Sequence, residues 1–305
     1  MGRGRGPLLI LAAASLAVAL TATPALAKKA KKKGLGPVVT ATASGPVVSV
    51  GGTSTASAVC PPGLQAVAGG FEVPFNAAGH LVATESYRSA PNTWRVSAFN
   101  GGGTGSATAY AYCRRSSKSI TDAIGTATVS GGYAHNTLAK ADCPPGIPVV
   151  SGGFQITSGP ASTDEAVPEE SIGGGPVAGT PSVGYWDVAV KNNGTAAQTV
   201  TAHVYCMAGI KVPAFRQDET SALLPNLGTL SQSSSCRARK SGKKKGKKRP
   251  ARPLSSGAFY SPFPLDANVF PVHTRSLIVG GGFLDTAVNA GQGGPVSIQS
   301  QAMCF

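Results

Sequence analysis

Four histidines, His80, His135, His203 and His273, are the side chains here whose ordinary pKa suits proton transfer near neutrality. Serine hydrolysis needs such a base beside an activated hydroxyl, and no G-x-S-x-G elbow occurs. The histidines share no position in the repeat described below. His203 falls on the polar face of a predicted strand, so all four read as surface side chains. Asp164, Glu165, Glu169 and Glu170 form an acidic patch of the oxygen type that calcium prefers. They lack the D-x-D-x-D-G order of a known calcium loop and read as a solvated loop. No CxxC or clustered Cys/His spacing suggests zinc. Gly101 to Gly103 and Gly280 to Gly282 lack the lysine and following helix of a phosphate loop, and read as turns. Asn193-Gly194-Thr195 fits a glycosylation sequon but lies in a predicted hairpin turn. No catalytic, cofactor-binding or metal-ligating set is read from the sequence.

One feature implies a partner. Arg237, Arg239, Lys240, Lys243, Lys244, Lys245, Lys247, Lys248, Arg249 and Arg252 form a single basic run. Such a cluster attracts polyanions, with binding that falls steeply as salt rises. Outside a cell these are anionic wall polymers, lipid head groups or released nucleic acid. No aromatic residue interleaves the run, which argues against a site that stacks bases. The alternative is a solubilising loop. The net charge of +14 is concentrated in such segments. Removing Arg3 and Arg5, the five lysines of residues 28–33 and the ten cations of the run leaves a net −3 for the rest.

These residues sit on a threefold repeat. Each unit has a cysteine, a Gly-Gly-Phe or Gly-Ala-Phe step, an aromatic, an asparagine six residues later and a closing cysteine. The units read Cys60, Phe71, Trp94, Asn100, Cys113; Cys143, Phe154, Trp186, Asn192, Cys206; and Cys236, Phe259, Phe283, Asn289, Cys304. All six cysteines are used, two per unit. A unit that recurs should close on itself, so the predicted disulfides are Cys60–Cys113, Cys143–Cys206 and Cys236–Cys304. Each closes a loop of more than 50 residues, and in the chain-entropy model stabilises by about 4 kcal/mol.

The units read as strands. Val200, Ala202, Val204 and Cys206 alternate with Thr199, Thr201, His203 and Tyr205. Ala107, Ala109, Ala111 and Cys113 alternate likewise with Thr108, Tyr110 and Tyr112. A shared face of small residues and cysteine predicts inward-pointing disulfides. The aromatic strand ends at Asn100-Gly101 or Asn192-Asn193-Gly194. That turn chemistry predicts an antiparallel hairpin with the cysteine strand. In unit three Phe283 replaces Trp and Asp285 replaces the inward Val. This predicts a looser core, or a shift that buries Leu284 and Val288. Trp94 stands 34 residues after Cys60, far too late for an immunoglobulin domain.

Cys60-Pro61-Pro62-Gly63, Gly69-Gly70-Phe71, Trp94 to Asn100 and Tyr112-Cys113, with their counterparts in unit two, resemble a repeat of secreted actinobacterial proteins of uncharacterised activity. The resemblance covers most of the chain and implies export and a β-rich fold. It carries no catalytic residue.

The first 27 residues read as a secretory signal peptide. Arg3 and Arg5 precede an apolar run from Leu8 to Leu20, and Ala25-Leu26-Ala27 is a small-x-small cleavage site. The run is shorter than a spanning helix requires. Residues 28–36 form a basic linker. Unit one covers 37–113, unit two 120–206 and unit three 219–305, with the basic run 237–252 inserted in it. The expected fold is all-β: three tandem disulfide-closed antiparallel units, each a small sandwich-like domain. The expected protein is a secreted, non-enzymatic structural or binding protein of the cell envelope, held electrostatically to anionic polymers. One alternative is a carbohydrate-binding or adhesive module using exposed Tyr110 and Tyr112. The other is an extracellular hydrolase with a site assembled between units.

Overall fold

The computed structural model describes residues 37–76, 79–132, 134–158, 166–174, 184–192, 194–210, 214–224, 228–236, 253–261, 271–289 and 296–304. The expected signal peptide, leader and basic run lie outside them. Unit one supplies β1 (Val39–Ser44), β2 (Val48–Ser49), β3 (Thr53–Val59), β4 (Gln65–Glu72), β5 (Phe75–Asn76), β6 (Gly79–Ala90), β7 (Thr93–Gly105) and β8 (Thr108–Arg114). Unit two supplies β9 (Ile120–Val129), β10 (Ala134–Asp142), β11 (Val149–Ser158), β12 (Ala166–Gly174), β13 (Tyr185–Asn192) and β14 (Gln198–Met207). Unit three supplies β15 (Ala214–Leu224), β16 (Thr229–Ser235), β17 (Pro253–Ser261), β18 (Pro271–Val279), β19 (Gly282–Asn289) and β20 (Val296–Cys304). The fold is all-β, with no helix among the described residues. The disulfides are Cys60–Cys113, Cys143–Cys206 and Cys236–Cys304, with Cα separations of 5.6, 5.8 and 5.7 Å.

The units are not self-contained sandwiches. Each of three sheets is assembled from two of them. The first runs β1-β8-β4-β18-β19-β16 and joins units one and three. The second runs β10-β13-β12-β17-β20-β15 and joins units two and three. The third runs β2-β7-β6-β11-β14-β9, with β3 on β7 and β5 on β6, and joins units one and two. The joins are equivalent. Phe71 pairs with Ser276, Phe154 with Ser86, and Ala258 with Ser171. Each unit thus lends its Gly-Gly-Phe strand to the sheet of the unit before it, cyclically, which gives a pseudo-threefold arrangement.

The expected hairpin between the aromatic and cysteine strands does not form. β7 lies in the third sheet and β8 in the first, and the same split separates β13 from β14 and β19 from β20. The asparagine is the reason. Asn100 is fully buried inside β7, and its amide donates to Val48 O at 2.8 Å and Gly103 O at 3.1 Å, while its Oδ1 accepts from Gly102 N at 3.0 Å. Asn192 likewise donates to Ser130 O at 3.2 Å and Ala196 O at 2.8 Å. A side chain that satisfies backbone groups from two segments pins a corner at which the chain changes sheets.

The aromatics form the cores. Trp94 and Trp186 are each 2% exposed, and their indole N–H groups donate to Ser86 Oγ at 3.1 Å and Ser171 Oγ at 3.0 Å. A Cβ on Gly69 or Gly152 would lie 2.1 or 2.0 Å from the facing indole, so glycine is required there. In unit three Ser256 holds that position against the smaller Phe283. Phe283 has no N–H to offer, and Ser276, the counterpart of Ser86, bonds Ser256 Oγ at 2.8 Å.

Unit three also corrects the repeat alignment. Phe71, Phe154 and Ala258 are opposite Ala109, Ala202 and Ser300, each four residues before the closing cysteine. Ala258, not Phe259, is therefore the structural counterpart of Phe71 and Phe154. Gly257 sets this register. A Cβ at Gly70, Gly153 or Gly257 would lie 2.0, 2.2 or 2.4 Å from the carbonyl oxygen of Ser276, Ser86 or Ser171. Phe71 and Phe154 meet edge to face at 6.2 Å. Ala258 leaves a cavity of about 30 Å³ beside them, bordered by His273.

Candidate functional site

The basic run lies in the sequence between Cys236 and Pro253, and both of these flanking residues are held by the fold. Cys236 is bonded to Cys304, and its N–H donates to Gly281 O at 3.3 Å. Pro253 is paired with Cys304, and its carbonyl accepts from the buried guanidinium of Arg114, in unit one, at 2.8 Å. In unit one the same gap, from Cys60 to Gln65, is crossed by Pro61 to Leu64 alone. The cations Arg237 to Arg252 lie outside the described residues.

The second distinctive region is the interior of unit three. Positions that are apolar in units one and two become polar here, and they cluster. Asp285 replaces Val96 and Val188; Gln232 replaces Ala56 and Ala139; Ser234 replaces Ala58 and Ala141. Ser300 replaces Ala109 and Ala202, and His273 replaces Ala83 and Pro168. Asp285 is fully buried, with no shift that would bury Leu284 instead. Its Oδ2 accepts from Ser300, and its Oδ1 lies 3.5 Å from His273 Nε2. Ser300 Oγ also bonds Ser234 Oγ at 3.0 Å. Burial, with Asp285 and Glu169 nearby, raises the Tyr260 hydroxyl well above its usual range. A carboxylate beside an imidazole is acid–base chemistry. Here Asp285 has no path to solvent, and among the described residues no hydroxyl bonds to the His273 ring.

His203 is not a surface side chain. It is 8% exposed, stacked on Tyr87 at 4.8 Å, with Nδ1 3.9 Å from Asp122 Oδ1. His80 is exposed and stacks on Phe75 at 4.9 Å. The side chain of His135 lies outside the described residues, as do Asp164, Glu165 and Asn193. Glu169 and Glu170 belong to β12 rather than to a solvated loop. Glu169 is 1% exposed. Burial raises its pKa to about 7 despite the opposing pull of Lys191, and burial likewise raises Glu170 to about 7. Asp187 is raised to about 6, again by burial. Among the described residues no cluster of acids, histidines or cysteines could hold a metal ion.

Tyr112 is not exposed either. It is 1% exposed, and its hydroxyl accepts from Ile278 N at 2.6 Å in unit three. Tyr110 is half-buried and donates to Glu72 Oε2 at 2.9 Å. Burial, reinforced by that hydrogen bond, pushes its pKa up to about 12. The polar interior of unit three was hidden from sequence reasoning except at Asp285. Its signal lay in comparing units position by position, which needs the strand register.

No protein-family model matches the chain, and no curated protein matches it. A functional reading rests on the chain's own geometry.

Proposed function

We propose that this is a secreted, non-enzymatic binding protein of the cell envelope, whose disulfide-locked β scaffold presents the basic run 237–252 to anionic polymers. The supporting observation is the anchoring of the two residues that flank the run. Ten cations lie in the sequence between two anchored residues, Cys236, bonded to Cys304, and Pro253, bonded to Arg114. A cationic insertion between anchored residues can meet a wall polymer or an anionic lipid surface, and insertions of this length are tolerated thermodynamically. Three closed disulfides fit an oxidising, extracellular setting.

The test is co-sedimentation of the secreted protein with isolated envelopes across a salt series, beside a variant lacking residues 237–252. Retention that falls with ionic strength, and is lost in the variant at moderate salt, is the expected result. Equal retention of both proteins would sink the electrostatic reading.

A further inference from the structure

The outward face of the first sheet carries a row of polar side chains, one on each of five neighbouring strands. Thr108 stands opposite Glu72, Glu72 opposite Arg275, Arg275 opposite Thr286, and Thr286 opposite Ser231. At a strand spacing of about 4.8 Å the row is about 19 Å long, with the join between units one and three inside it. It lines a cleft of about 530 Å³, within the range of small-ligand sites. Val73, Pro74 and Phe75 supply an apolar wall.

The groups are held before any ligand arrives. Glu72 accepts from Tyr110 Oη at 2.9 Å and from Arg275 Nη2. The hydroxyls of Ser231 and Thr286 share a bond of 2.9 Å, and Thr274 Oγ1 donates to Thr286 O at 3.1 Å. Glu72 and Arg275 are paired with each other and keep 35% and 39% of their side chains exposed, while Thr286 beside them is 7% exposed.

The equivalent rows elsewhere lack this character. On the third sheet Glu85 sits where Arg275 does, partnered by Gln155 at 2.8 Å, Ser97 at 2.8 Å and Arg95 at 3.1 Å, and only 13% of its side chain is exposed, against 35% for Glu72. On the second sheet the row runs Gln299, Phe259, Glu170, Ala189 and Leu138, three of the five apolar.

We propose that the first-sheet cleft binds a neutral saccharide laid across the strands. A charged ligand meets one cation and one anion here and gains little. A sugar offers alternating hydroxyl donors and acceptors to the row and its C–H face to the apolar wall, and one pyranose is close to the strand spacing in length. This site is separate from the basic run and independent of it.

The experiment is saturation-transfer NMR on the secreted full chain with three probes, cellobiose, maltose and diacetylchitobiose. At least one is expected to show transfer that survives high salt and deletion of residues 237–252. Glu72→Gln and Ser231→Ala, at the exposed hydroxyl of the row, should each weaken that binding about tenfold or more, which is about 1.4 kcal/mol. Thr55→Val, on β3 opposite Ser97 in the equivalent row of the third sheet, should leave it unchanged. Thr108→Val, a mild change at the rim, serves where Glu72→Gln lowers the yield of folded protein. Transfer from none of the probes, or equal weakening by Thr55→Val, overturns the proposal.

Discussion

The hydroxyl of Tyr205, in unit two, accepts the backbone N–H of Arg88, in unit one, at 2.6 Å. Tyr112 does the same for Ile278 of unit three at 2.6 Å. In the third position of the cycle the tyrosine is replaced by Met303, and Gln301 on the same strand accepts from Gly173 N at 3.0 Å instead. Three equivalent N–H groups beside the joins are thus satisfied in each case by the neighbouring unit. The degenerate unit keeps the function of the contact with different chemistry.

Tyr205→Phe keeps the ring, which meets Trp94 edge to face at 5.7 Å, and removes only the acceptor. A partly buried N–H left without its partner costs about 1–3 kcal/mol. Urea unfolding should show that loss, with an unchanged slope.

Gly152→Ala places a methyl inside van der Waals range of the Trp186 ring and of His203 O. Overpacking of this kind costs about 1–3 kcal/mol, and more where backbone must move. Gly146→Ala, at a positive φ of 75° with open space around it, should cost about 1 kcal/mol through backbone strain alone. Thermal melts of the two variants should rank them in that order.

Stability should fall as pH rises from 5 to 8. Glu169 and Glu170 are raised to about 7 and Asp187 to about 6, all by burial. A carboxyl whose folded pKa is raised binds more protons folded than unfolded. Its contribution is complete below the unfolded pKa and is lost as pH climbs through the folded one. Lys191 opposes the shift at Glu169, while Glu170 reinforces it. Around Asp187, Lys140 opposes and Asp142 reinforces. Unfolding midpoints at pH 5 and 8 test this, and Glu169→Gln should flatten the difference.

Opening one bridge, by Cys143→Ala with Cys206→Ala, releases a loop of sequence separation 63. The expected loss is about 4 kcal/mol. Because unit two lends β11 to unit one's sheet, the loss should appear in the unfolding of the whole body and not of unit two alone.

The strands and the disulfides were legible because period-two alternation and a threefold repeat are local features. Val200 to Cys206 announces its inward face, and each cysteine has one repeat partner. Strand partners were not legible. Alternation gives a strand two faces and does not say which strand lies beside it, so Phe154 finding Ser86 some seventy residues away leaves no mark in the sequence. Asn100-Gly101 carries hairpin chemistry, yet burial of the side chain turns it into a corner. Phe259 was aligned on its ring, whereas the join is governed by the space that Gly257 must leave for Ser171 O. In the first-sheet cleft, Glu72 and Arg275 are about two hundred residues apart and meet only through the exchange of strands.

Scanning calorimetry of the oxidised chain tests the interlocked body most directly. Three units that complete one another's sheets should unfold in a single transition, with calorimetric and van't Hoff enthalpies in agreement. Three separate transitions, each reproduced by an isolated unit, would contradict it.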